Sequence, residues 1–275
     1  MNRSFTAFAM ALVGCLALSG CSTATDNKPA TSAPTADLPT VANLTGTWTV
    51  TTTGVENFYQ QSTSTTKGGH FTRTTTVVFG ADRSYWQKYV TVDVPDDGSA
   101  TQSFYEQGKG VFTAVDDALT VSIGSARAAY SDFADDTTGW IAQSPAAIST
   151  TPAILSSGKL YNSNTTVFKA QGATSGIVGN WSYTQMYTTA SPPYHKFTVT
   201  FNADLTASTA NYDSSSSTFP STPTSTQAGT YSLGSGGTVT LTPTGGPAGT
   251  PSYYSIVGSY LLIGATPDLG ASVKQ

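Results

Sequence analysis

Few side chains in this sequence could do proton, nucleophile or metal chemistry. His70 and His195 are the only two histidines, each just ahead of a Phe-containing alternating run. They read as matching positions in two halves of the chain, so they are expected far apart and at the surface. Two histidines without a His-x-x-x-His spacing do not build a zinc site. Acidic pairs stand at Asp96-Asp97, Asp116-Asp117 and Asp135-Asp136. General acid–base work needs one carboxyl in an apolar site, whereas these pairs fall in predicted turns, where water keeps both ionised. Asp93–Asp97 lacks the spacing of an EF-hand loop. Ser64–Lys67 and Ser156–Lys159 match Ser-x-x-Lys, but the partner motifs Ser-Asp-Asn and Lys-Thr-Gly are missing. Neither a Gly-x-Ser-x-Gly elbow nor a Walker loop occurs. The chain reads as non-catalytic, with no cofactor and no metal.

The aromatic inventory is richer: 14 Tyr, 12 Phe and 4 Trp. In an extended strand Tyr183, Gln185 and Tyr187 share a face with Trp181. Tyr85, Gln87 and Tyr89 share another. Phenols beside amides inside a barrel could line a pocket for a small amphipathic ligand. The competing reading is a small barrel filled by its own side chains.

Strands must position these groups, and the composition suits strands. Only 10% of residues are charged, against about 25% in ordinary soluble domains. Thr and Ser take their place, with 48 and 33 copies. A stiff β-branched Thr fits the outer face of a pleated sheet. The net charge of −4 argues against a nucleic-acid partner, which calls for a basic footprint.

Residues 1–20 read as a secretory signal. Arg3 supplies the charge, and the run from Phe5 to Leu18 is too short to cross a membrane as a helix. Leu18-Ser19-Gly20-Cys21 resembles the lipobox of bacterial lipoproteins. That resemblance implies acylation at Cys21, a membrane partner through the lipid anchor, and an envelope location. Two or more acyl chains anchor stably where one would not. Ser22, in place of the Asp that signals inner-membrane retention, favours the outer membrane. Cys15 leaves with the signal and Cys21 is consumed by lipid, so no disulfide is expected. Residues 21–43, rich in Thr, Ala and Pro, read as a disordered tether.

Five landmarks then recur in order. Gly46-Thr47-Trp48 matches Gly179-Asn180-Trp181. Phe79-Gly80-Ala81-Asp82-Arg83-Ser84 matches Phe201-Asn202-Ala203-Asp204-Leu205-Thr206. Gly110-Val111-Phe112 matches Gly229-Thr230-Tyr231, Ala118–Ser122 matches Gly237–Thr242, and Leu155–Leu160 matches Ile256–Leu261. Alternation in Phe197, Val199 and Phe201, and in Val239 and Leu241, predicts strands. Asp97-Gly98 predicts a hairpin turn. Only Gly124 to Asp136, with its alanines, offers a turn or two of helix.

The fold class is all-β: two tandem small antiparallel barrels, residues 44–171 with an insertion and residues 176–275. The landmarks resemble small bacterial lipocalin-like domains, departing from that pattern at Arg83 and Leu205, where Gly is expected. The resemblance implies that Trp48 and Trp181 close the barrels as packing. It implies a non-catalytic role, binding a small apolar ligand or a surface protein or glycan. A purely structural envelope protein and a hydrolase on a β scaffold are the alternatives.

Overall fold

The computed structural model describes residues 35–275. The predicted signal segment, Cys21 and the first part of the predicted tether lie outside them. The described chain is all-β. In order it runs through a short helix α1 (Val41–Leu44), then β1 (Gly46–Gln60), β2 (Thr65–Phe79), β3 (Ser84–Pro95), β4 (Gln102–Val115), β5 (Ala118–Ala129) and β6 (Ile141–Pro152). It continues with β7 (Ile154–Ser156), β8 (Lys159–Tyr161), β9 (Thr166–Ala170), β10 (Gly179–Tyr187), β11 (Tyr194–Phe201) and β12 (Thr206–Ser214). The last strands are β13 (Ser225–Gly234), β14 (Thr238–Pro243), β15 (Ser252–Val257), β16 (Tyr260–Gly264) and β17 (Ser272–Lys274).

Two compact units share these strands, and neither is one continuous stretch of chain. One holds Ile148–Ala271, Asp116–Leu119 and the described residues before Thr40. Within it β9 to β16 close a ring of eight antiparallel strands. Trp181 opposite Ala170 joins β10 to β9, and Leu261 opposite Phe168 joins β16 to β9. Closure satisfies every edge of the ring. Its interior is filled by Phe168, Trp181, Tyr183, Val199, Phe201, Tyr231, Val239 and Leu261. The ring therefore takes its first strand from the stretch that the sequence assigns to the first domain. The physical reason is edge closure: β9 pairs with β10 on one side and β16 on the other, and without it the ring would stay open there.

The other unit holds Thr40–Val115, Thr120–Ala147 and Ser272–Gln275. Its strands are long. β1 and β2 pair without a break from Gly46–Phe79 to Gln60–Thr65, a ribbon of ~50 Å at 3.3–3.4 Å per residue. β3 and β4 extend it, and β17 adds to β1 at Trp48 and Thr49.

The end of the predicted tether is ordered. Asp37 and Leu155 exchange backbone hydrogen bonds, and the Thr40 hydroxyl caps α1 through the Asn43 N–H. Local hydrogen bonding offsets the ordering cost that composition alone makes look prohibitive. The expected helical turns over Gly124 to Asp136 are absent: Ala126, Ala128 and Ala129 lie in β5, and the rest is irregular. Strand pairing overrides alanine's helix propensity here.

The paired landmarks share atomic geometry. Trp48 Nε1 donates to Leu44 O and Trp181 Nε1 to Ile177 O, four residues back in each case. Phe79 packs edge-on against Phe112 at 4.8 Å, and Phe201 against Tyr231 at 4.9 Å. Asp82 and Asp204 each accept the backbone N–H two residues on.

Candidate ligand-binding face

β3 buries alternate residues, Tyr85, Gln87, Thr91 and Asp93, and the period of two puts Tyr89 on the same face. The register brings Phe71 and Arg73 of β2 opposite Asp93 and Thr91. On the other side Gln102, Phe104 and Glu106 of β4 stand opposite Asp93, Thr91 and Tyr89. Glu56 joins from β1, opposite Gly69. This inward face of the long-stranded unit is apolar at its Trp48 and Phe79 end and polar toward Asp93.

The Tyr–Gln–Tyr set is assembled as one contact. Tyr85 Oη and Tyr89 Oη both donate to Gln87 Oε1, at 2.6 and 3.2 Å. Burial pushes the Tyr85 phenol well above its ordinary value, with Tyr89 adding to it. The phenol is thus a neutral donor. Gly108 lies opposite Gln87, and a Cβ there would come 3.1 Å from the amide nitrogen, so the glycine leaves the side chain its room. In the other unit Tyr183 donates to Gln185 Oε1, and burial and then Tyr187 hold its phenol up. Tyr183 is buried in the ring core, while Gln185 and Tyr187 are half-buried. The two predicted sets therefore stand in different units.

Beyond Tyr89 lies a charge cluster that the sequence analysis missed. Arg73 Nε donates to Thr91 Oγ1 at 2.9 Å, and its Nη2 lies 4.0 Å from Glu56 Oε2. Burial raises the Glu56 carboxyl; Arg73 opposes, and Asp93 adds by charge and by a hydrogen bond. Burial also raises Glu106, again against Arg73. Asp93 is 4% exposed. Its Oδ2 accepts from Gln102 Nε2 at 3.3 Å, while its Oδ1 has no conventional donor. The available signal was the alternation from Tyr85 to Asp93, which carries a carboxylate onto the inward face.

The sequence-level acidic pairs behave as turns. Asp97 accepts from Lys67 and from Ser99, and Asp135 from Thr137 and Thr138. Asp117 pairs with Lys169. His195 bonds Asp213 at 2.7 Å, while His70 stands exposed 3.4 Å from Asp96. The two histidines are not equivalent: counting back from Phe79 and Phe201, the position that matches His195 is Arg73.

On the outward face of the same sheet, residues 130–140 pack over Trp86, Lys88 and Gln107 beside a groove of about 520 Å³. Arg127, 3% exposed, bonds Gln107 Oε1 and Thr138 O and lies between the Phe133 and Trp140 rings at 4.0 and 4.6 Å. Lys88 pairs with Asp132 and Lys109 with Asp136. These pairs hold the segment to the sheet.

Among the described residues no group of three His, Cys, Asp or Glu could hold a metal ion, and no helix is long and apolar enough to cross a membrane. No family model, curated protein or solved structure matches the chain.

Proposed function

We propose that this chain is a non-catalytic lipoprotein of the bacterial cell envelope, anchored through Cys21 at the outer membrane. In this reading it holds a small amphipathic ligand on the inward face of β1–β4. The single observation that carries it is the placement of Arg73, Glu56, Asp93 and Glu106 on a half-buried sheet face, continuous with the Tyr85–Gln87–Tyr89 set. A face that only filled a core would be dominated by apolar contacts such as those of Phe168, Trp181, Val199, Phe201 and Leu261 in the ring, and would not gather charged side chains. Buried polar groups converging beside aromatic rings are the usual make-up of a ligand site. The matched Gly-x-Trp and hairpin geometries support descent of both halves from one lipocalin-like module, with the closed ring kept as a packed domain.

The test is native mass spectrometry of the lipidated full chain, extracted in mild detergent. A co-purifying small molecule that is lost from Gln87→Leu but kept by Gln185→Leu would support the reading. Retention by both variants would place the ligand elsewhere. For the anchor, Cys21→Ala should leave the membrane fraction; continued co-fractionation with membranes would exclude lipidation as the tether.

A further inference from the structure

We propose that the inward carboxylates Glu56, Asp93 and Glu106 receive a primary ammonium group of the ligand, with Asp93 Oδ1 as its main acceptor. This rests on the reading of the β1–β4 face as the ligand site. Three carboxylates here face a single guanidinium, Arg73, and that guanidinium is committed: its Nε donates to Thr91 and its Nη2 is the group nearest Glu56. The other local donors are also spent. Gln102 Nε2 divides between Asp93 Oδ2 and Tyr59 O, and Ser99 Oγ donates to Asp97 and Gln60. Asp93 is 96% buried with one oxygen unpartnered by any of them.

Burial raises the Glu56 carboxyl, Arg73 opposes, and the neighbouring Asp93 adds to the rise, which shows how closely these acids crowd one guanidinium. A group that fits must bring several N–H donors and a positive charge. It must also be small enough to sit among side chains directly opposite one another. A primary ammonium does so, with three donors on one atom. The neighbours agree with that choice. Phe71 stands opposite Asp93 with the Arg73 guanidinium 5.1 Å over its ring, and Phe104 stands opposite Thr91 on the same face; such ring faces attract a desolvated cation. Toward Tyr85 the face turns into phenol and amide and then apolar core, which suits a ligand with an amine at one end and an aromatic or aliphatic body at the other. Access runs past Glu56 and Arg73, whose side chains are 34% and 31% exposed.

The test is calorimetric titration of the full chain in non-ionic detergent with 2-phenylethylamine and with 2-phenylethanol, which has the same skeleton but no charge. The amine should bind and the alcohol should bind about tenfold weaker or worse. Asp93→Asn should bring the amine-to-alcohol affinity ratio close to one. Glu106→Gln should reduce it in part, and serves as the second variant should Asp93→Asn fail to fold. Equal binding of amine and alcohol to the parent would overturn the ammonium assignment and leave the ligand face standing. Binding of neither would also overturn it, and the co-purification experiment on Gln87→Leu then judges the face independently. Amine preference that survives both substitutions would place the amine somewhere other than these carboxylates.

Discussion

Arg83 and Leu205 hold the same backbone angle, φ 66°, at the same place in two hairpins. In each, the residue's N–H bonds the carbonyl three back, and its carbonyl accepts from Phe112 or Tyr231 on the next strand but one. A side chain in this left-handed region costs ~1–2 kcal/mol. Glycine there removes the strain but loosens the unfolded chain by ~0.5–1 kcal/mol. Leu205, half exposed, has little packing to lose. Leu205→Gly should raise the unfolding free energy by up to about 1 kcal/mol, seen as a higher urea midpoint. A lower midpoint would show that the leucine side chain contributes more than its exposure suggests.

Trp181 is fully buried in the ring core. Trp181→Ala should cost ~3–5 kcal/mol through lost contacts and the void left behind, a large share of the ~5–15 kcal/mol typical of a domain. Trp181→Phe keeps most of the volume but leaves Ile177 O without its donor, for ~1–3 kcal/mol. Chemical denaturation of both variants should rank them in that order. The reverse order would mean that the indole N–H outweighs the packing.

Burial holds the Glu106 carboxyl above its ordinary 4.5 in the folded chain, with Arg73 opposing. As pH rises, the unfolded chain therefore gives up its proton first. The stability present below pH 4.5 is lost as pH climbs toward the folded value. Glu106→Gln abolishes this titration. The variant should withstand more urea than the parent near neutral pH, with the gap closing at about pH 4. A gap of equal size at both pH values would assign the effect to packing instead.

Arg127 ties the segment over residues 130–140 to the sheet through Gln107, Thr138, Phe133 and Trp140. A lysine cannot reproduce the planar fork or the stacking. Arg127→Lys should release the segment, seen as faster limited proteolysis between Tyr130 and Trp140 and red-shifted tryptophan emission. Cleavage at the parent's rate would mean that the Lys88–Asp132 and Lys109–Asp136 pairs suffice.

The all-β class was legible in the sequence because alternation in runs such as Phe197–Val199–Phe201 has only one physical reading. The hairpin at Asp97-Gly98 was legible for the same reason: Gly98 takes φ +73° and β3 ends at Pro95. The closing strand β9 was not, since its five residues gain meaning only from partners on β10 and β16. The Tyr85–Gln87–Tyr89 contact followed from spacing within one strand. The charge cluster did not, because Glu56, Arg73, Asp93 and Glu106 come from four strands, and only their register makes them neighbours. Turn acids such as Asp96 and Asp97 drew attention by adjacency in sequence, which in a sheet protein marks the bends rather than the faces.

The pairing of β17 with β1 has a consequence for how the molecule is made. Lys274 reaches Asn43 O across 231 positions, and its Cε lies 2.8 Å from where a Cβ on Gly46 would fall. The first hairpins of the long-stranded unit can form as soon as they emerge. The far side of β1 at Trp48 and Thr49 stays unpaired until Val273 and Lys274 arrive. Closing so long a loop is a late, diffusion-limited event. Until then the start of β1 offers its hydrogen-bonding groups to any other extended chain. The exposed hydroxyls and scarce charges along the strand do little to discourage that. β17 therefore acts as a late seal on the start of β1.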